Sequence, residues 1–113
     1  MDQATLRDLA EQWWLDRRPA GMYRSDSSFS EAEWDRAETV NSILESAASD
    51  WEQLPAVIAA LARSTPNKSD LAYIGTWFLE TAYLAIGEAV FDALESADIS
   101  SEERQFIRSG IQL

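Results

Sequence analysis

Apolar residues recur along this chain with a period near 3.6, in short segments separated by Pro, Gly and Ser breaks, and no stretch alternates residue by residue as a strand does. That pattern restricts the fold to helices packed on helices. Leu6, Leu9, Ala10 and Trp13 stand at i, i+3, i+4 and i+7 and predict a helix over residues 4–17, with Thr5 and Asp8 as a capping pair and Pro19 and Gly21 beyond its end. Arg18 to Ser30 reads as a loop. Ser30 followed by Glu33 has the form of a capping box. The helix it opens places Trp34, Ala37, Leu44 and Ala48 on one face and Glu31, Asp35, Glu38 and Glu45 on a neighbouring polar one. Pro55, tolerated in a first turn but not in a helix interior, favours a third helix starting at Leu54 rather than Asp50, with Leu54, Val57, Ile58 and Leu61 as its buried stripe.

Ser64-Thr65-Pro66-Asn67 is a break. After it the chain is helix-compatible almost continuously, with Gly75 and Gly87 as joints between pieces spanning 69–75, 77–86 and 88–97. Ser100 or Ser101, with Glu103, caps a last short helix containing Phe106 and Ile107. The expectation is an all-α fold: one compact helical domain over residues 1–113, with about six helices in an orthogonal or irregular bundle.

Cysteine and histidine are both absent. Disulfides, thiol nucleophiles and Cys-ligated zinc are excluded, and the commonest metal ligand and neutral-pH general base are missing. No EF-hand loop, phosphate-cradling glycine loop or Glu-x-x-His motif occurs. Carboxylate pairs at enzyme-like spacings arise by chance among 20 acids. No catalytic, cofactor-binding or metal-binding residue is therefore assigned, and a non-enzyme is expected. The polar, acidic Met1-Asp2-Gln3-Ala4 lacks the features of a signal peptide, and the apolar runs are too short to span a bilayer, so a cytoplasmic protein without membrane contact is expected.

Charge carries the functional signal. Twenty acids against nine bases give a net charge of −11, which repels nucleic acid and anionic membranes and attracts a cationic protein. From Lys68 to Arg104 there are 35 residues without a base, among them Asp70, Glu80, Glu88, Asp92, Glu95, Asp98, Glu102 and Glu103. Glu88, Asp92 and Glu95 follow i, i+4, i+7 and stack on one helical face, where like charges cost a few tenths of a kcal/mol per pair. Helix stability does not explain them; a solvated face or a docking surface for a basic partner does. The chain also has five tryptophans. Trp13, Trp34 and Trp51 fit apolar faces and read as core. Trp14 projects about 100° from Trp13 around the helix, so either the first helix is buried on a wide face or Trp14 is exposed as a contact residue.

The segment Leu71-Ala72-Tyr73-Ile74-Gly75-Thr76-Trp77-Phe78-Leu79-Glu80, followed by Gly87-Glu88-Ala89-Val90-Phe91-Asp92-Ala93-Leu94-Glu95, resembles a family of small, uncharacterised bacterial helical proteins with a Leu-Glu…Gly-Glu motif. Leu79-Glu80 and Gly87-Glu88 carry the likeness; Trp77-Phe78 stands where that family has Gly-Pro. Small acidic proteins of this kind look like immunity proteins, which neutralise a partner toxin. The resemblance thus implies an immunity or inhibitor protein, and the charge and aromatic readings add the expectation that it binds a basic partner, such as a toxin nuclease, through Glu80, Glu88, Asp92, Glu95 and Trp14. The alternatives are a helical scaffold or self-associating dimeric module, and a nucleic-acid mimic that occupies a DNA-binding protein.

Overall fold

Trp13 and Trp14 are both buried, so the helix that carries them must be covered on two sides. In the computed structural model, which describes residues 2–17, 30–65 and 68–111, α1 (Gln3–Arg17) packs against both α2 (Glu31–Ala48) and α3 (Leu54–Ser64). A 3₁₀ turn (Lys68–Leu71) and a π-helical turn (Ile74–Leu79) then lead into α4 (Glu80–Ile86), α5 (Ala89–Ser96) and α6 (Ser101–Ser109). No strand occurs among the described residues, and the fold is all-α. The radius of gyration of 13.2 Å matches the roughly 13 Å of a compact domain of this length.

The helix starts follow the sequence closely. Ser30 Oγ accepts the Glu33 N–H at 3.2 Å while Ser30 N–H donates to Glu33 Oε1 at 3.3 Å. Ser100 and Glu103 repeat this reciprocal pairing at 3.1 and 2.9 Å. Pro55 sits in the first turn of α3, where a missing N–H costs nothing. At α1 the expected Thr5–Asp8 pair is not the cap. Thr5 already lies in the first turn, and its N–H donates to Asp2 Oδ1 at 2.7 Å.

The core gathers where α1, α2, α3 and the π turn meet. The Trp13 ring lies edge-on to Trp14 at 4.8 Å and to Phe78 at 6.2 Å, and Leu44, Leu54, Val57, Ile58 and Leu61 are fully buried around them. Two tryptophans expected in this core are outside it. Trp34 lies on the apolar stripe of α2, but the buried residues of that helix begin only at Val40, leaving Trp34 42% exposed. Trp51 falls in the 51–53 turn before α3, so helical spacing does not set its direction, and it is 64% exposed. The loop expected over 18–30 lies, apart from Ser30, outside the described residues, as does part of the 64–67 break.

Of the two expected glycine joints, one is correct. Gly87 ends α4 with φ 64°, donating its N–H to Tyr83 O at 2.7 Å. Gly75 instead lies buried inside the π turn, where α6 crosses it at backbone distance. A Cβ on Gly75 would stand 2.1 Å from Ile107 O, and one on Gly110 would stand 1.8 Å from Ala72 O. Thr76 Oγ1 seals the crossing, donating to Gly110 O at 2.7 Å with Ala72 O at 3.2 Å. The missing side chains mark a contact between helices and not a break in one.

Gly110→Ala should therefore lower the urea unfolding free energy by about 1–3 kcal/mol, whereas Leu84→Ala, at a side chain 87% exposed, should change it by less than about 0.5 kcal/mol. A second expectation concerns pH. The Thr5 backbone N–H holds the Asp2 carboxyl below its usual range. The folded value being the lower one, the stabilisation is complete above the unfolded value of about 3.9 and is lost as pH falls through the folded value. An NMR titration followed at the Thr5 amide should accordingly show a midpoint below that of an unstructured aspartate peptide.

Candidate protein-binding face

The acids of the base-free run divide into two groups once folded. Asp98 receives Arg63 from α3 at 2.6 Å, Glu102 receives Lys68 at 3.1 Å, and Glu95 pairs with Arg108 of α6 and stands 4.0 Å from Arg104. Glu103 is committed to its capping box. Asp70, Glu80, Glu88 and Asp92 have no ion-pair partner among the described residues. Bases from α3, the 3₁₀ turn and α6 thus neutralise the acids from Glu95 to Glu102, and among the described residues the unpaired carboxylates of the run are those of the 3₁₀ turn, α4 and the N-terminal part of α5.

Glu88 precedes the first residue of α5, and Glu88, Asp92 and Glu95 are all exposed along that helix. Of the three, Glu95 is turned toward α6 by its arginines. Glu80 belongs to a different surface. It is half-buried at the start of α4, in the i+3 position from Trp77 and four residues before Leu84. Trp77, in the π turn, and Leu84, in α4, are 57% and 87% exposed apolar side chains on either side of Glu80 in the chain.

Trp14 does not belong to either surface. It is 2% exposed, and its indole N–H donates to Leu61 O at 2.8 Å. Leu61 is among the last four residues of α3, whose carbonyls lack assured intrahelical donors. The indole therefore both fills the α1–α3 seam and caps α3, and a contact role for Trp14 is ruled out by burial. The wide buried face is the correct alternative.

The exposed aromatic near the α5 acids is Trp51. A groove of about 440 Å³ between the 51–53 turn and α5 is lined by Trp51, Glu52, Pro55, Ala89, Asp92, Ala93 and Ser96. The turn itself is rigidly held. Asp50 accepts the Glu52 N–H at 2.9 Å and Gln53 Nε2 at 3.2 Å through its carboxylate, and its carbonyl accepts the Leu54 N–H at 3.0 Å. An Asp followed by a short turn and a Pro-started helix was the available sequence signal, since aspartate carboxylates typically tie turns of this kind. Arg104 was also not foreseen. Its guanidinium donates to the carbonyls of Leu94, Ala97 and Ile99 at 3.1, 3.2 and 3.3 Å, closing the C-terminus of α5.

Among the described residues no three carboxylates converge at metal-binding distance, and no helix is long and apolar enough to cross a membrane. No protein family, curated protein or solved structure matches the chain significantly.

The two tryptophans should separate cleanly on mutation. Trp14→Phe, which strands the Leu61 carbonyl, should cost about 1–3 kcal/mol of stability by chemical denaturation. Trp51→Ala should shift the same curve by no more than about 0.5 kcal/mol.

Proposed function

We propose that this protein is a binding protein that captures a cationic protein partner on the face formed by α5 and the 51–53 turn, in the manner of an immunity protein or inhibitor that neutralises a bacterial toxin domain such as a nuclease. The observation that carries the reading is the selective pairing of charge: Glu95, Asp98 and Glu102 are compensated from within, while Glu88 and Asp92 have no ion pair among the described residues and Asp92 shares a groove with the exposed Trp51. Uncompensated carboxylates raise the rate of encounter with a basic surface, and an aromatic side chain at the same place supplies contact area that slows dissociation. The Leu79-Glu80 and Gly87-Glu88 resemblance supports the immunity assignment, and the net charge of −11 argues against nucleic acid as the partner. A bacterial cytoplasm is the setting that goes with this role.

A second reading rests on Trp77 and Leu84. Their exposed apolar side chains suit self-association of two copies through apolar contact.

Co-expression with the product of the adjacent gene decides between these. The inhibitor reading expects a complex and relief of any toxicity, an association rate that falls steeply between low and physiological salt, and a further fall of severalfold in Glu88→Gln/Asp92→Asn. A protein that forms no such complex, and instead dimerises with a constant indifferent to salt and sensitive to Leu84→Ala, belongs to the second reading.

A further inference from the structure

The groove between the 51–53 turn and α5 has a composition that selects its occupant. One wall is an indole, 64% exposed, on a turn held by the Asp50 carboxylate and carbonyl. Glu52 and Asp92 line the same groove, and neither carboxylate has an ion pair or side-chain hydrogen bond among the described residues. Pro55, Ala93 and Ser96 supply a small, smooth remainder. An apolar side chain placed there would strip water from two carboxylates and give nothing back, which is costly. An anion would be repelled. A cation satisfies both walls, because the face of an indole attracts positive charge and the carboxylates accept its hydrogen bonds.

We propose that this groove is a receptor for an arginine side chain of the partner, with the guanidinium stacked on Trp51 and hydrogen-bonded to Asp92 and Glu52. Arginine is preferred to lysine on physical grounds. The guanidinium is planar, so it lies flat on the ring while its edge donates to carboxylates, and it gives up water more readily than an ammonium. The inference rests on the reading that the partner is cationic, and it adds which residue type that partner presents. It also separates the tryptophans by role: Trp13 and Trp14 hold the core, and Trp51 is held out of it to meet a ligand.

The test uses the whole 15N-labelled chain and N-acetyl-arginine amide as the probe, with N-acetyl-lysine amide and sodium chloride at equal ionic strength as controls. The indole N–H resonances, assigned by single Trp→Phe substitutions, are the readout. The expected result is a saturable shift of the Trp51 resonance with those of Trp13 and Trp14 stationary. Binding should weaken roughly two- to fivefold for the lysine compound and by a similar factor in Asp92→Asn, the size expected when one exposed cation–π or ion-pair contact is lost. Absence of a saturable Trp51 shift beyond the salt control, equal affinity for the two amides, or indifference to Asp92→Asn each overturns the proposal. Because the probe is a single amino-acid amide, the outcome is independent of the partner. A salt-sensitive complex with the adjacent gene product that survives Trp51→Ala unchanged removes the arginine receptor but keeps the inhibitor, whereas arginine binding without any cationic partner does the reverse.

Discussion

Two neighbouring tryptophans on one helix impose the geometry of the rest. Side chains one residue apart leave the helix about 100° apart, so burying both requires packing on two sides of the same turn of α1. Trp13 faces Phe78 of the π turn and donates its indole N–H to Asn41 Oδ1 of α2 at 3.1 Å; Asn41 in turn donates to Glu45 at 3.0 Å. Trp14 goes the other way, to the end of α3. A single turn of α1 thereby sets the positions of α2, α3 and the start of the C-terminal half. Both indole N–H groups find acceptors, without which burial of so much aromatic surface would leave polar atoms stranded.

Electrostatics is arranged around that frame and not within it. The base-free run from Lys68 to Arg104 looks uniformly acidic along the chain, but folding brings Arg63, Lys68, Arg104 and Arg108 to its C-terminal part. Exposed pairs of this kind add little stability individually. Their effect is local: they neutralise the acids from Glu95 to Glu102 and leave Glu88 and Asp92 without an ion pair among the described residues.

The sequence was most informative where a local rule acts alone. The Ser30–Glu33 and Ser100–Glu103 caps, the start of α3 at Leu54 before Pro55, and the stripe Leu54, Val57, Ile58 and Leu61 all depend on residues within one or two turns of each other. It misled where the outcome depends on a distant segment. Gly75 has the local look of a joint, yet its meaning comes from Ile107 O and Ile111 lying against it. Trp34 shares a stripe with Leu44, but a stripe tells which side is apolar and not how far along the helix the cover extends. Trp14 is the reverse case: its burial depends on the end of α3 lying against it, which no local pattern encodes. Among the acids, Glu88, Asp92 and Glu95 are each exposed, but only the fold shows Glu95 engaged with Arg108 and Asp92 opening onto the Trp51 groove.

The glycine crossing also orders events during synthesis. Helices α1, α2 and α3 lie within the first 64 residues and contact one another, while Trp13 of α1 waits for Phe78 of the π turn to complete its surroundings. The π turn is different: its Gly75 side and the Ala72 carbonyl are covered by residues 107–111, the last described part of the chain to leave the ribosome. For roughly a few seconds at ordinary translation rates, the nascent chain carries the π turn with a bare strip of backbone awaiting its latch. That strip shares its wait with the 3₁₀ turn and the end of α5, which α6 also covers.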